Sequence, residues 1–420
     1  MSLNSRIPKF YSFSQEERRN IIASMFNFNK QDLKYLQDQE ISDSVFEVMI
    51  ENTIGKIPFP IGIATNFKIN GKDYLIPMVI EESSVVAAAS HAAKIARKKG
   101  GFIAEYSGSI VIGQIQLLTS EPFEAVKQII SSNKKKIIEI ANSTNEFLVK
   151  LGGGAKDIEI RRVKGDLREY FILHIIVDTK DAMGANAVNT MLEKLQPFIE
   201  SIVDCKVLLR ILSNYAIKRM VKVKATFDKE LLGGDEVVEN ILFAYDFAKH
   251  DVFRAVTHNK GIMNGIIAVM LATGNDTRAI EAGAHAYASK NGNYSSLSKF
   301  EKDENGDLVG YLELPLSVGI VGGAIRVHPT YKILLKILNV STAQELAIVA
   351  GSVGLAQNLA AIRALASEGI QAGHMSLHAR NLAVTIGAQG EEIEKLASKL
   401  IELKEITYDK ALEILKKIRK

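Results

Sequence analysis

The sequence is poor in cysteine, tryptophan and proline. Its 420 residues include one cysteine, no tryptophan and eight prolines. A single thiol, Cys205, excludes an intrachain disulfide and favours a reducing compartment. The chain also lacks a Walker A loop, an HExxH motif, a CxxC pair and a strand followed by GxGxxG. These absences argue against a Rossmann-type cofactor site and against a cysteine-ligated zinc site.

A strong excess of one charge is missing as well. The chain has 52 basic and 48 acidic residues, and its formal charge of +4 is too small to indicate a nucleic-acid partner. The N-terminal segment has no apolar run with a cleavage site, and the most apolar stretch, 345–370, is interrupted by Gln357, Asn358 and Arg363. With 47% hydrophobic residues, we expect a cytoplasmic, soluble protein of about two or three domains and no membrane partner.

Turn and cap signals divide the chain into segments. Ser14 and Glu17 predict a capping box, and Asn70-Gly71 predicts a hairpin turn. Over 109–213 the pattern predicts strand, helix, strand, strand, helix and strand, with one long first helix at 122–148. This order is typical of a ferredoxin-like unit, so we expect a compact α+β insert there. Long helices dominate the rest of the chain.

Two glutamates end the predicted strand at 74–82. Glu81 and Glu82 precede Ser83-Ser84, where an alanine-rich helix begins. A helix N-terminus offers unpaired N–H groups to an anion, and a nearby carboxyl group can act as a general acid if desolvation raises its pKa. A surface glutamate followed by an ordinary serine cap explains the same pattern.

A dense polar cluster lies just before an apolar helix predicted over 262–273. Lys260 and Asn264 are four residues apart and share one helical face. A lysine there could stabilise a developing oxyanion, with Asp276 orienting it. A solvated helix start is an equally simple explanation. The cluster comprises Arg254, His258, Asn259, Lys260 and Asn264.

Two histidines, His374 and His378, are one helical turn apart. The spacing suits metal ligation, but the glutamate of HExxH and an obvious third ligand are missing. A single histidine that donates a proton is chemically simpler. Structural histidines satisfied by local hydrogen bonds are the alternative.

Six segments, taken in chain order, resemble the class II 3-hydroxy-3-methylglutaryl-coenzyme A (HMG-CoA) reductase family of bacteria and archaea. Each segment alone is a modest signal, whereas all six in order are specific. They are Glu51-Asn52-Thr53-Ile54-Gly55, Glu82 with residues 84–88, Asp181-Ala182-Met183-Gly184-Ala185-Asn186, residues 257–265, Gly274-Asn275-Asp276 and Gly373-His374-Met375.

The resemblance implies a four-electron reduction of HMG-CoA to mevalonate and coenzyme A with two NAD(P)H. It assigns oxyanion stabilisation to Lys260, proton donation at the aldehyde stage to Glu82, and proton donation to the departing thiolate to His374. Asp276 corresponds to the aspartate that holds the lysine–glutamate network together. The implied substrate contacts are Ser84, Arg254, Asn264 and Gln357.

The resemblance also places the cofactor on the ferredoxin-like unit. A strictly NAD-using member has an aspartate where this chain has Asn145, and Lys134 to Lys136 lie upstream on the same predicted helix. Losing that charge removes repulsion toward a 2′-phosphate, so we expect NADPH to be preferred or both cofactors to be used, without a metal. The other implied cofactor contacts are Asp181, Met183, Gly184, Asn186 and Asn214.

The implied architecture is α+β. A large helical substrate-binding domain (1–108 and 214–374) carries the small NAD(P)-binding domain as an insert at 109–213, and 375–420 forms a C-terminal helical flap. The family further implies a homodimer with active sites at the interface, around 51–55, and leaves a higher oligomer open. Three other functions stay open: mevalonate oxidation with NAD, coenzyme A binding without catalysis, and metal-dependent hydrolysis by His374 and His378.

Overall fold

The computed structural model describes residues 3–37, 41–367, 370–403 and 405–419, with the backbone alone over 370–377. Within these ranges the strands are β1 (Ile61–Ile69), β2 (Lys72–Val79), β3 (Phe102–Tyr106), β4 (Ile110–Leu118), β5 (Gly154–Lys164), β6 (Glu169–Asp178), β7 (Lys206–Leu212), β8 (Met220–Phe227), β9 (Ser298–Lys302) and β10 (Leu308–Pro315).

The helices precede, connect and follow these strands. They are α1 (Gln15–Phe26), α2 (Lys30–Leu36), α3 (Asp43–Met49), α4 (Val85–Lys98), α5 (Phe123–Ser132), α6 (Lys134–Asn142), α7 (Glu146–Lys150), α8 (Ala185–Ile202), α9 (Lys229–Leu232), α10 (Asp235–His250), α11 (Val252–Ala272), α12 (Thr277–Ala288), α13 (Gly323–Val327), α14 (Pro329–Leu338), α15 (Ala343–Ala366), α16 (Ile370–Thr385), α17 (Glu391–Glu402) and α18 (Tyr408–Ile418).

The large sheet has the strand order β2-β1-β3-β8-β10-β9. Its neighbours are antiparallel except for β1 and β3, which are parallel. The predicted hairpin is confirmed: Asn70 and Gly71 join β1 to β2 with φ of 49° and 82°, the left-handed pair that a tight hairpin needs. The capping box of Ser14 and Glu17 at the start of α1 is confirmed as well.

The small sheet has the order β5-β6-β4-β7, and all its neighbours are antiparallel. Its apolar core is separate from the core under the large sheet. Gly113 on β4 allows α8 to pack closely, because a Cβ there would lie 2.7 Å from Val188 Cγ1. The two sheets and their covering helices confirm a mixed α/β fold.

The single long helix predicted over 122–148 is wrong, because three helices occupy this stretch. Asn133 separates the first two, and its side chain donates to Ile129 O at 2.9 Å. Thr144 donates back to Ala141 O at 2.7 Å, and Asn145 accepts from Leu148 N at 2.9 Å as the N-cap of α7. Such side chains compete with helical backbone hydrogen bonds, which the apolar periodicity alone did not reveal.

The long helix α15 crosses the core beside α11. It has the length and hydropathy to span a membrane, but 83% of its most apolar 18-residue window is buried inside the protein. Gly265 and Gly354 bring α11 and α15 together, since a Cβ at Gly265 would lie 2.9 Å from Gln357 Cβ and one at Gly354 would lie 2.8 Å from Ile266 Cδ1. This helix is therefore a core helix.

The C-terminal helices α16, α17 and α18 have an apolar cluster of their own. Leu396, Leu400 and Leu415 are almost fully buried in it, together with Ala383 and Ala411. The segment predicted as a flap thus contains helices that pack on one another.

Candidate active site

The polar cluster lies on α11 itself. The prediction that it precedes the helix is wrong: the side chain of Asp251 caps α11 by accepting from Arg254 N at 2.7 Å, and the helix begins at Val252. Lys260 and Asn264 share one face, as predicted. Lys260 Nζ lies 2.8 Å from Glu82 Oε2, and Asn264 Nδ2 donates to the same oxygen at 3.4 Å. Side chains 178 and 182 residues away from Glu82 in the sequence thus meet at its carboxylate.

The bend between β2 and α4 presents Glu82. Strand β2 ends at Val79, so the prediction that Glu81 and Glu82 belong to the strand is wrong. Ser84 precedes α4 with φ 72°, and its side chain makes no capping hydrogen bond. Ser84 is therefore not an ordinary N-cap serine, which was the alternative explanation of this pattern. A left-handed conformation costs a non-glycine residue about 1–2 kcal/mol, and such residues cluster at functional sites.

Arg254 lies on α11, six residues before Lys260, and Gln357 lies on α15, where it faces Gly265 of α11. Burial lowers the pKa of the Arg254 guanidinium. Gln357 is 5% exposed, and its Oε1 has no hydrogen-bond partner in the part of the chain that the structure describes. An unsatisfied buried acceptor costs about 1–3 kcal/mol, which makes Gln357 a group suited to receive a ligand's hydrogen bond.

A buried histidine fixes the rotation of α11 about its axis. His258 Nε2 lies 2.7 Å from Ser298 Oγ, which in turn donates to Asn358 Oδ1 at 2.7 Å, so α11 is tied to β9 and α15. Burial, with the charge of Arg254, lowers the pKa of His258 to about 3. The imidazole is therefore neutral near pH 7.

The next residue reinforces this attachment. Asn259 Nδ2 donates to Ser295 O at 2.9 Å, and its Oδ1 accepts from Leu297 N at 3.0 Å. Because His258 and Asn259 both face the interior, Lys260 is directed toward solvent, where its side chain is 60% exposed. Two buried attachments immediately before Lys260 thus determine which way it points.

Asp276 lies just beyond the C-terminal end of α11. Its carboxylate caps α12 by accepting from Arg278 N and Ala279 N, both at 3.1 Å. Lys260 precedes the last residue of α11, Ala272, by twelve positions, which correspond to about 18 Å of helix. Among the described residues, no hydrogen bond or ion pair joins Asp276 to Lys260 or Glu82 within one chain.

The predicted cofactor segment adjoins Asp276. Asn275 Oδ1 accepts from Gly319 N at 2.8 Å, and a Cβ at Gly319 would lie 2.5 Å from Met183 N. Asp181 Oδ1 accepts from Ala343 N, the first residue of α15, at 2.8 Å. The segment is thus anchored at the end of α11 that is remote from Lys260.

Three other predicted cofactor residues surround the start of α8 and the exit from β7. Gly184 precedes α8 with φ 102°, and a Cβ there would lie 2.4 Å from Thr179 Cγ2, so only glycine fits. Asn186 is exposed on the first turn of α8, and Asn214 is exposed after β7.

Asn145 lies between α6 and α7, directly before α7. Its carbonyl oxygen is used as the cap of α7, and the lysines upstream belong to a different helix, α6. Lys134 pairs with Asp157 at 2.5 Å, and Lys136 pairs with Glu139 at 3.1 Å. The prediction that these lysines share a helix with Asn145 is therefore wrong.

The two C-terminal histidines lie four residues apart on α16. The side chain of His374 lies outside the described residues, whereas His378 is exposed. In the described part of the chain, no three His, Cys, Asp or Glu side chains form a group that could hold a metal ion.

Comparison with known proteins decides the family. The model of the hydroxymethylglutaryl-coenzyme A reductase family matches residues 14–379. The chain is 54% identical to the 3-hydroxy-3-methylglutaryl-coenzyme A reductase of Archaeoglobus fulgidus, over 100% of this chain and 96% of that protein. The chain belongs to the HMG-CoA reductase family.

Two further relatives agree. A probable HMG-CoA reductase of Borreliella burgdorferi is 40% identical over 96% of this chain and 93% of its own length. The structure of the class II enzyme from Streptococcus pneumoniae bound to NADPH in open conformations superposes with a TM-score of 0.81 and 40% identity, covering 97% of this chain and 100% of that one. The resemblance to class II reductases is confirmed.

Sequence reasoning missed one buried residue at the cofactor segment, Arg219. It follows Lys218 in a short connection between two strands, and a basic pair in a loop is normally exposed. Its partners, such as Tyr106 and Val318, are about a hundred residues away, so no local pattern could have revealed the burial.

The neutral imidazole of His258 makes stability depend on pH. In the unfolded chain it gains a proton near its ordinary pKa of 6.5, whereas in the folded protein it stays neutral down to about pH 3. Its contribution is therefore present above pH 6.5 and is lost as the pH falls. We expect the free energy of unfolding of the wild type, measured relative to that of His258→Gln, to fall by about 2 kcal/mol between pH 7 and pH 5.

Urea unfolding at the two pH values measures this difference. His250→Gln is the matched control, because this imidazole is exposed on α10 and should leave the pH dependence of stability as in the wild type. If the wild type and His258→Gln lose stability in parallel, His258 does not carry the effect.

Proposed function

We propose that this chain is a soluble, cytoplasmic enzyme that reduces HMG-CoA to mevalonate and coenzyme A. The observation that carries the proposal is the Lys260–Glu82 pair, 2.8 Å apart and open to solvent, with the Asn264 amide on the same carboxylate. An ammonium in hydrogen-bond contact with a carboxyl group can both stabilise a carbonyl oxyanion and deliver a proton. Membership of the reductase family supports this assignment.

The chemistry requires two reductions. When bound, the nicotinamide cofactor supplies a hydride in each of them. Lys260 stabilises the negative charge that develops on the carbonyl oxygen, and the thiolate of coenzyme A leaves after the first reduction with a proton from His374. Glu82 then protonates the aldehyde oxygen during the second reduction. Ser84, Arg254, Asn264 and Gln357 bind the hydroxymethylglutaryl part of the substrate.

The cofactor fits the small-sheet unit. We assign it to a ferredoxin-like domain over 109–213, with substrate binding on 1–108 and 214–374 and closure by the helices of 375–420. Helix α8 begins after Gly184 without an acidic residue in its first turn, so its free N–H groups suit a pyrophosphate. Asp181, Met183 and Asn186 lie within three residues of Gly184 in sequence, and Asn214 follows β7 of the same sheet.

The functional enzyme is a homodimer in this proposal. Lys260 lies near the middle of α11 and Asp276 lies beyond the C-terminal end of this helix, so a site that needs both takes Asp276 of the partner subunit. A run of large apolar side chains around 51–55 is exposed and suits burial against a second copy. These side chains are Val48, Ile50, Ile54, Ile57 and Phe59.

Removing the ammonium group tests the activity. Lys260→Ala should lower kcat with HMG-CoA and NADPH by about 100- to 1000-fold, because the oxyanion loses its stabilising charge. Oxidation of NADPH, followed by its absorbance, measures the rate. Lys94→Ala is the matched control, since this lysine is exposed on α4. An unchanged rate in Lys260→Ala would remove Lys260 from the mechanism.

The neutral side chain of Asn145 favours NADPH. A relative from Streptococcus pneumoniae is described as bound to NADPH, which supports this preference. We expect kcat/KM to be higher with NADPH than with NADH, and Asn145→Asp to lower the NADPH value by about tenfold through charge repulsion. Asn305→Asp adds the same charge in an exposed turn before β10 and should change neither value. A kcat/KM for NADH far above that for NADPH would contradict the preference.

Complementation tests the shared site. Lys260→Ala and Asp276→Ala should each be inactive alone. When the two variants are co-expressed with different tags, half of the dimers are mixed and one of their two sites is intact, so activity should return to about a quarter of the wild-type value. If both residues acted within one chain, every site of the mixed dimer would lack one of them and no activity would return.

A further inference from the structure

Arg219 is the largest fully buried side chain in the described part of the protein. It lies in the connection between β7 and β8, where the chain passes from the small sheet to the large one. Within the described ranges no carboxylate forms an ion pair with it. A buried guanidinium is costly unless its N–H groups are satisfied, so its hydrogen bonds indicate why it is there.

The guanidinium joins two segments that are far apart in sequence. Its Nη1 donates to Thr179 Oγ1, Ala182 O and Met183 O, all at 3.2 Å, within the loop 179–184 that leads into α8. Its Nη2 donates to Val318 O at 2.8 Å, after β10. The planar fork of arginine provides these donors in fixed directions, which lysine does not.

Other contacts hold this fork in place. Nε of Arg219 donates to the hydroxyl of Tyr106 at 2.7 Å, and that hydroxyl donates to Leu316 O at 3.0 Å. The loop is bound to the same segment a second time, because Ile320 N donates to Asp181 O at 2.9 Å. The loop is thus fixed from both sides against residues 316–320.

Residues 316–320 lead directly to Asp276. Gly319 N donates to Asn275 Oδ1 at 2.8 Å, and Gly319 packs so closely on Met183 that no side chain fits there. A continuous path of short contacts therefore runs from Arg219 through the loop 179–184 and Gly319 to the residue before Asp276.

We propose that Arg219 is a positioning residue for the dinucleotide cofactor. By fastening the loop 179–184 to residues 317–318, it determines where the nicotinamide lies relative to Asp276. This inference rests on the proposed function, because it takes the loop as part of the cofactor site. Arg219 itself touches neither substrate nor cofactor.

The test compares three variants of the full-length enzyme. Arg219→Lys keeps the charge but loses the fork. Thr179→Val removes one acceptor from the loop and keeps the side-chain shape. Arg97→Lys is the matched control, because Arg97 forms a bidentate ion pair with Asp73 and not with the loop 179–184. Both contacts of this pair are 2.9 Å long.

We expect the KM for NADPH and its dissociation constant, measured by fluorescence, to rise about tenfold in Arg219→Lys, and less in Thr179→Val, while the KM for HMG-CoA stays within about twofold. Arg97→Lys should lower the melting temperature and leave both KM values unchanged. If Arg219 had only a structural role, Arg219→Lys would lower the melting temperature as Arg97→Lys does, and the KM for NADPH would not rise relative to the KM for HMG-CoA.

Two results would overturn the inference: equal changes in the two KM values of Arg219→Lys, or an unchanged NADPH dissociation constant. If Arg219→Lys does not fold, an unchanged dissociation constant in Thr179→Val has the same meaning. Failure of the proposed function is distinguishable, because it would show as a wild-type enzyme that binds NADPH but does not reduce HMG-CoA.

Discussion

The ion pair between Lys260 and Glu82 joins the bend after β2 to the middle of α11. An exposed pair of this kind contributes little to stability, so the fold gains little from it. Instead, the position of the ion pair depends on the fold around it. His258 and Asn259 attach α11 to β9, α15 and the segment before β9 from inside, and Ser84 adopts a strained backbone where Glu82 turns outward. Buried contacts thus maintain an exposed and chemically competent pair.

The length of α11 imposes a second constraint. The helix places Lys260 near its middle and Asp276 just beyond its end, and the predicted cofactor loop is attached at that end through Asn275 and Gly319. In the proposed function, one chain therefore separates the groups that act on the thioester from those that would hold the reductant. In the proposed homodimer, two copies of α11 would unite these groups, and the exposed apolar surface around 51–55 would suit burial at the interface.

Local signals in the sequence predicted local structure well. The capping box of Ser14, the Asn70-Gly71 hairpin and the shared face of Lys260 and Asn264 depend on neighbours within a few residues. The prediction of one helix over 122–148 is wrong because polar side chains divide this stretch into three helices, although the helical spacing of apolar residues continues through it. The burial of Arg219 and the distance from Lys260 to Asp276 depend on how distant segments pack, and a single sequence does not show this.

A crystal structure of the enzyme with HMG-CoA and oxidised NADP bound tests the central claim most directly. We predict that the thioester carbonyl lies within about 3.5 Å of Lys260 Nζ, with Asp276 of the partner subunit and that subunit's nicotinamide on the other side of the same carbon. A substrate bound away from Lys260, or a site built from a single chain, would contradict it.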